Sequence, residues 1–175
     1  MPLAALAEWY EVDAPDQSDW SDKRIESFRN FQETDRPLGV LRIESLGVEA
    51  KVFSDSLPGA LEGGLTWVAG TSLPGSSGNV AIAGHRDSFF RKLEKISEGT
   101  IIEVETEREV VVFEVSVTRV VDALDVSPLD PSDSDILTLI TCYPFYFKGF
   151  APDRYIVQAR RKEPAKPVEL AHSTD

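Results

Sequence analysis

The single cysteine of this 175-residue chain, Cys142, is the residue best suited to nucleophilic chemistry. A cysteine attacks as its thiolate, and because an ordinary thiol titrates near 8.5, a nearby cation or proton acceptor has to assist it. Of the two histidines, His85 follows the apolar run NVAIAG, whereas His172 lies in the C-terminal tail and is interpreted as a solvated bystander. Arg154, twelve residues after Cys142, carries a permanent positive charge and several hydrogen-bond donors.

Each of these three residues also has an ordinary structural interpretation. A lone cysteine after an apolar strand is usually a small buried hydrophobe, and a lone histidine in a turn is usually structural. An arginine at a strand end usually forms a surface ion pair. The residue types alone leave both interpretations open, because catalysis requires that Cys142, His85 and Arg154 converge in the fold.

The segments that would position these side chains have mainly β patterns. Apolar or alternating runs separated by turn residues begin near residue 38: LGVLRIESLGVEAKVF, NVAIAG, TIIEVET, VVVFEVSVTRVV, DILTLIT and RYIVQAR. Only RDSFFRKLEKI interrupts them with helical spacing. About seven strands with few helices predict a closed or nearly closed β-barrel, or a sandwich.

One folded unit with an extension at each end is predicted. Residues 1–37 form an acidic N-terminal appendage, which we expect to be loosely held up to residue 20. A helix is predicted over residues 21–34, with Ser21 as its N-cap, from one apolar stripe: Ile25, Phe28 and Phe31. Residues 38–161 carry the β pattern, and residues 162–175, with two prolines and no periodicity, are expected to be a disordered tail.

Composition excludes several classes of function. A net charge of −12 and a pI near 4.6 argue against binding to nucleic acid or to an anionic membrane surface. One cysteine excludes an intramolecular disulfide and a cysteine-cluster metal site. The opening segment MPLAALAEWYEVD lacks the basic residues of a signal peptide, and no apolar run is long enough to cross a bilayer.

Two separated segments, LPGSSGNVAIAGHRDSFFRKL and LTLITCYPFYFKGFAPDRYIV, together resemble the sortases, the cysteine transpeptidases of bacterial surfaces. The family signature is a strand that ends TLxTC, an arginine about a dozen residues later, and a histidine after a GNxxIAGH strand. It is matched here by Thr138, Leu139, Thr141, Cys142, Arg154, Asn79, Ile82, Ala83, Gly84 and His85. The resemblance covers about residues 38–160, and the TCYPF…APDR block looks most like the class D branch.

The resemblance implies a mainly β fold, a closed sortase-type barrel of about eight strands with an N-terminal helix and one or two short helices. It implies that Cys142 attacks the threonine carbonyl of an LPxTG-like sorting signal. His85 then acts as general acid and base, and Arg154 holds the substrate or the developing oxyanion. An amine resolves the thioacyl-enzyme, which makes the reaction a transpeptidation.

The family resemblance also implies partners and a location. The expected substrates are surface proteins with a C-terminal sorting signal, and the expected acceptor is an amine such as a peptidoglycan precursor. No cofactor and no nucleic acid are expected. The protein is expected outside the cytoplasm, anchored to the cell membrane by an N-terminal helix that is absent from this sequence.

Several neighbouring residues have two interpretations each. Thr141 could contact the substrate or be an ordinary β-branched strand residue, and Tyr143, with Phe145, could line the groove or cover the core; we predict substrate contacts for Thr141 and Tyr143. Asp87 could orient His85, although an exposed turn carboxylate is the simpler interpretation. The aspartate-rich segment 122–135 is interpreted as a solvated turn and not as a calcium site, so no metal site is predicted.

Two other functions remain open at this stage. The first is a catalytically silent barrel that binds surface polypeptides, whose thiol would be alkylated at an ordinary, slow rate. The second is a cysteine peptidase that uses water as the acceptor, which product analysis with and without an added amine would identify.

Overall fold

The computed structural model describes residues 10–146, 149–162 and 166–167. Their strands, in chain order β1 to β9, are Gly39–Ile43, Val48–Phe53, Leu65–Trp67, Asn79–Ala83, Ile101–Glu105, Glu109–Asp122, Ile136–Tyr143, Asp153–Arg161 and Lys166–Pro167. The α-helices α1 and α2 are Asp22–Asn30 and Ala60–Gly63, and short 3-10 turns are Glu44–Leu46, Arg91–Lys95 and Ser127–Leu129.

Eight of these strands close into a barrel. The order of neighbours is β5-β1-β2-β3-β4-β7-β8-β6, and β6 pairs again with β5 to complete the ring. The pairs β2–β3 and β4–β7 are parallel and the other pairs of the ring are antiparallel. The prediction of a mainly β fold with a closed barrel of about eight strands is therefore confirmed.

The inner and outer faces of the barrel wall carry different side chains. Inward-facing side chains of β4 and β7 are almost fully buried in the hydrophobic core: Val80, Ile82, Leu137 and Leu139. Because successive side chains of a strand point to opposite faces, the residues between them lie on the outer face: Asn79, Ala81 and Ala83 on β4, and Thr138, Ile140 and Cys142 on β7. The candidate nucleophile is thus on the outside of the barrel.

A crossover, residues 123–135, lies over part of that outer face. Strands β6 and β7 are both antiparallel to β8, so they run in the same direction and the chain must return along the barrel between them. The buried Asn79 amide donates to the carbonyls of Pro128 and Asp130, at 2.9 Å each, and its oxygen accepts a 2.7 Å hydrogen bond from Thr138. The outer face of β4 and β7 therefore holds the crossover in place.

The N-terminal part is more firmly bound than its sequence predicted. Ser21 is the N-cap of α1 and accepts from the Arg24 N–H, as expected, but the helix ends at Asn30 because Phe31 is extended and packs on the core aromatic Phe53. Residues 10–20 were expected to be loosely held; instead Trp20 is buried in the main core. The tryptophan supplies the apolar area that ties this acidic segment to the barrel.

The predicted C-terminal tail, residues 162–175, is described at Lys162, whose N–H donates to the Val112 carbonyl at 2.9 Å, and at β9, which pairs with β6 at Glu109 and Val110. The rest of that tail, including His172, lies outside the described residues. The domain boundaries at residues 37 and 161 stay predictions. Among the described residues, no helix combines the length and apolarity needed to cross a bilayer.

Candidate active site

Cys142 and Arg154 are brought together by the register of two strands. They are direct partners in the antiparallel β7–β8 ladder, so their side chains point to the same face with Cβ atoms roughly 4.5–5.5 Å apart. Cys142 is a free thiol of intermediate exposure. The sequence motif that places Arg154 twelve residues after the cysteine thus corresponds to a loop that returns the chain to the cysteine.

His85 follows β4, which neighbours β7 on the side opposite to β8. The parallel β4–β7 register runs to the pair Ala83 and Ile140, and the Gly84 N–H donates to the Ile140 carbonyl at 3.1 Å. His85 lies two residues beyond Ala83, just past the end of β4. The registers bring the strand ends next to His85, Cys142 and Arg154 to the same end of the neighbouring strands β4, β7 and β8, and that the three side chains act together stays a prediction.

Thr141, predicted as a substrate contact, is buried and hydrogen-bonded to the backbone in this structure. Its side chain is only 2% exposed and its hydroxyl donates to the Gly84 carbonyl at 2.8 Å, so it is committed to the protein backbone and not to a substrate. A Cβ on Gly84 would lie 2.6 Å from Leu65 and 2.7 Å from Phe90, which is why only glycine fits between the core and this strand end. Thr141 and Gly84 together fix the backbone immediately before His85.

Tyr143, the other predicted substrate contact, belongs to a cluster of aromatic side chains. It lies two residues after Thr141 on the face of β7 opposite to Cys142. Its ring stacks on Tyr155 with centroids 6.0 Å apart and meets the edge of the buried Phe145 at 5.9 Å. The structure favours the alternative interpretation, that this aromatic cluster covers the end of the core.

Arg154 is held by the backbone of its own loop. Its Nη1 donates to the carbonyls of Asp153 at 2.8 Å and Ala151 at 3.2 Å. Within the described residues, both of these hydrogen bonds use Nη1, which leaves Nη2 to donate to a bound group. A half-buried guanidinium fixed in this way can face developing negative charge without first having to be ordered.

An ionic network that the sequence analysis did not identify surrounds His85. The imidazole Nε2 lies 3.6 Å from Oε1 of Glu62, while Oε2 of Glu62 accepts from Nη1 of Arg24 at 3.0 Å. Nε of Arg24 donates in turn to Asp87 at 2.8 Å. Asp87 therefore binds the arginine of α1, a contact that neither of its two predicted interpretations included.

The surroundings of His85 favour the neutral imidazole. Burial is the largest cause that lowers the pKa of His85 below 6.5, and the positive charge of Arg24 lowers it further, against the opposing effects of Glu62 and Asp87. A neutral imidazole can accept the proton of a neighbouring thiol.

Large exposed apolar side chains lie on the crossover and on the loop between β7 and β8. Ala123 donates to the Pro152 carbonyl, which joins the start of the crossover to the loop between β7 and β8. These two segments present large exposed side chains: Leu124, Val126, Tyr146 and Phe150.

The acidic segment 122–135 uses carboxylates to stabilise its turns. Asp122 accepts from the Leu124 N–H at 2.8 Å and Asp125 from the Ser127 N–H at 2.9 Å. In the part of the chain that the structure describes, no three or more His, Cys, Asp or Glu side chains are grouped as metal ligands.

Comparison with known proteins gives consistent matches. A family model described as the sortase domain matches residues 41–162. Sortase D of Bacillus subtilis (strain 168) is 29% identical over 130 residues, which span 74% of this chain and 66% of that protein, slightly under two thirds of its length.

Solved structures of similar proteins share the barrel. A Clostridium perfringens Sortase D5 transpeptidase has a TM-score of 0.66 and 26% identity, covering 81% of this chain and 88% of that one. Sortase E1 from Streptomyces coelicolor, with a tripeptide in its active site, has a TM-score of 0.67 and 27% identity, covering 78% of this chain and 94% of that one.

Proposed function

This chain belongs to the sortase family, with class D members among its relatives, and on that premise we propose that it is a cysteine transpeptidase. It cleaves an LPxTG-like sorting signal after the threonine and transfers the acyl group to an amine. Its substrates are surface proteins that carry the signal near their C-terminus, and its acceptor is an amine such as that of a peptidoglycan precursor. It acts outside the cytoplasm, tethered to the cell membrane by an N-terminal helix.

The observation that supports this proposal is the position of three residues at one end of neighbouring strands. His85 follows β4, Cys142 lies on β7 and Arg154 on β8; these strands are adjacent in the barrel, and Cys142 and Arg154 are direct partners in the β7–β8 ladder. A peptide bond lying over Cys142 would have the imidazole on one side and the guanidinium on the other. This is the arrangement that acyl transfer by a thiol requires.

Acylation begins with transfer of the Cys142 proton to neutral His85. The sulfur then bonds to the threonine carbonyl carbon, and the carbonyl π electrons move to the oxygen, whose negative charge Arg154 stabilises. Collapse of this intermediate re-forms the carbonyl and breaks the C–N bond, and the His85 imidazolium gives its proton to the departing amine. The product is a thioester on Cys142, with His85 neutral again.

Deacylation repeats these steps in reverse with a different amine. The acceptor nitrogen bonds to the thioester carbonyl carbon while His85 removes one of its protons. Collapse breaks the C–S bond, and the Cys142 thiolate recovers the proton from His85. The new peptide bond and the free enzyme result, with no net change in protons on the protein.

The proposal is tested by incubating the protein with a library of LPxTG-like peptides, with and without an amine acceptor. The products are identified by mass spectrometry. The expected result is an amide product that forms only with the amine and a thioacyl adduct at Cys142 that Cys142→Ala cannot form. Equal hydrolysis with and without amine would identify a peptidase. No turnover together with slow alkylation of Cys142 would identify a silent barrel.

A further inference from the structure

Helix α1 is attached directly to the loop that follows His85. The Phe28 ring meets the Phe89 ring with centroids 5.8 Å apart, and Trp20 closes the cluster at 4.9 Å from Phe89 and 5.7 Å from Phe28. Phe89 and Trp20 belong to the main core. The helix lies before residues 41–162, the part that matches the family model, so this attachment is a property of the chain outside that match.

Arg24 of this helix links two carboxylates beside His85. Its Nη1 contacts Glu62 on α2 at 3.0 Å and its Nε contacts Asp87 at 2.8 Å, while its side chain is only 19% exposed. The other oxygen of Glu62 faces Nε2 of His85 at 3.6 Å, slightly beyond hydrogen-bond distance. One arginine therefore sets the position of the carboxylate that stands opposite the imidazole.

We propose that Arg24 is a positioning residue for His85, which holds Glu62 against Nε2 and partly neutralises that carboxylate, so that α1 contributes to the catalytic site. This inference deepens the proposed function and rests on it for the catalytic role of His85. With Nε2 directed at Glu62, Nδ1 is the nitrogen that remains for the Cys142 proton. The Glu62 carboxylate then stabilises the imidazolium during each transfer without abolishing the neutral resting form.

The charged groups that act on His85 come from three elements: Arg24 of α1, Glu62 of α2 and Asp87 of its own loop. Cys142 and Arg154 lie on the neighbouring strands β7 and β8, and Arg86, next to His85 in the chain, donates through Nη2 to the Gly149 carbonyl. Arg24 lowers the pKa of His85, after burial, and Glu62 and Asp87 raise it. Loss of Arg24 would remove a positive charge that lowers the pKa of His85. It would also leave Glu62 and Asp87 without their shared ion-pair partner. Both changes should raise the pKa of His85.

Three variants test the proposal, because they should shift the pKa of His85 in different directions. Arg24→Gln should raise the pKa of His85, Glu62→Gln should lower it, and Arg24→Lys, which keeps the charge, should leave it close to the wild-type value. Arg29→Gln is the matched control, because Arg29 is an exposed arginine on the same helix. A helix that merely stabilised the fold would change the melting temperature without this pattern.

The titration of the His85 ring is monitored by NMR on the full chain. The spectrum of His85→Gln identifies which histidine signal belongs to His85 and which to His172. In a turnover assay Arg24→Gln should also lower kcat by about tenfold, less than the roughly 10²–10⁴ expected for loss of a general acid, with KM little changed. An unshifted or lowered pKa in Arg24→Gln overturns the proposal. If that variant does not fold, an unshifted or raised pKa in Glu62→Gln overturns it instead.

The two proposals fail in different ways. If the His85 titration shifts as stated but no peptide and amine are ever joined, the transpeptidase function is wrong and the ionic network stands. If Cys142 joins peptides to amines but the pKa of His85 does not change in the Arg24 and Glu62 variants, the transpeptidase function stands and the proposed role of α1 is wrong.

Discussion

Cys142 and Arg154 are directly opposed across the β7–β8 ladder, and this pairing is maintained by backbone hydrogen bonds on both sides. On β6, Val121 is the next partner of Arg154, so the arginine has a paired strand on each side. Hydrogen bonds from Nη1 to the carbonyls of Ala151 and Asp153 hold its guanidinium. The opposition of Cys142 and Arg154 is thus built into the sheet and does not depend on a substrate.

Arg154→Lys and Arg154→Ala should both reduce kcat/KM by about 10²–10³, the cost of losing one oxyanion donor. Lysine keeps the charge but cannot donate to two loop carbonyls and to a substrate oxygen in one plane. The melting temperature should change little. Arg160→Lys is the matched control, because Arg160 is an exposed arginine six residues along the same strand and on the same face. Near-normal turnover, or unfolding of Arg154→Ala, would show that the arginine is structural.

Thr141→Val should destabilise the protein by about 1–3 kcal/mol, because the Gly84 carbonyl would lose its hydrogen bond in a buried place. It should also slow turnover, since Gly84 carries His85. Thr141→Ser restores the hydroxyl and should recover most of both losses. Urea unfolding and peptide turnover measure the two effects. If Thr141→Val lowers peptide affinity and leaves stability unchanged, the substrate contact that the sequence predicted was correct after all.

Asn79→Ala should loosen the crossover, residues 123–135. The substitution removes two hydrogen bonds to Pro128 and Asp130 and the acceptor of the Thr138 hydroxyl, at about 1–3 kcal/mol for each buried group left without its partner. Gln158→Ala is the milder comparison, because Gln158 contributes only a 3.3 Å bond to Thr138.

Limited proteolysis of the two Asn79 and Gln158 variants locates the effect. Cleavage within the crossover should accelerate in Asn79→Ala and change little in Gln158→Ala. Equal protection of that segment in both variants would mean that other contacts hold it.

The barrel was predictable because its strands carry strong local signals. The turn at Gly47 separates β1 from β2 as the pattern LGVLRIESLGVEAKVF indicates, and the run ending at Cys142 is a single strand. The three candidate catalytic residues were found through two motifs, which record a long-range arrangement that no local periodicity contains.

What the sequence did not reveal has physical causes. Alternation along β7 places Thr141 and Tyr143 on the face opposite to Cys142, and a hydrogen bond such as that from Thr141 to Gly84 leaves no local sequence pattern; the substrate contacts of both residues stay predictions. The contacts of Arg24 with Glu62 and Asp87 span 38 and 63 positions, and surface-type residues at such separations leave no local pattern. Trp20 was missed because a single aromatic in an acidic, proline-containing segment gives no periodicity.

The depressed pKa of His85 predicts a pH-dependent part of the stability. The unfolded chain holds this histidine near its ordinary value of 6.5, whereas the folded state binds the proton less tightly, chiefly because the ring is buried. Where the unfolded state binds more protons, the free energy of unfolding rises with pH. Stability should therefore be unaffected by this group above about pH 7.5, and it should fall as the pH drops from about 6.5 through the folded value.

Urea unfolding of the wild type and of His85→Gln between about pH 8 and pH 5 isolates this contribution, because His172 and all carboxylates are common to both proteins and cancel in the difference. The advantage of the wild type over His85→Gln should shrink as the pH is lowered, since only the wild type then gains a proton on unfolding. Glu62→Gln should steepen the loss, because removing that carboxylate lowers the pKa of His85 further, and Arg24→Gln should flatten it. A difference that stays constant across this range would show that folding leaves the affinity of His85 for its proton unchanged, and the account of the buried, neutral imidazole would have to be abandoned.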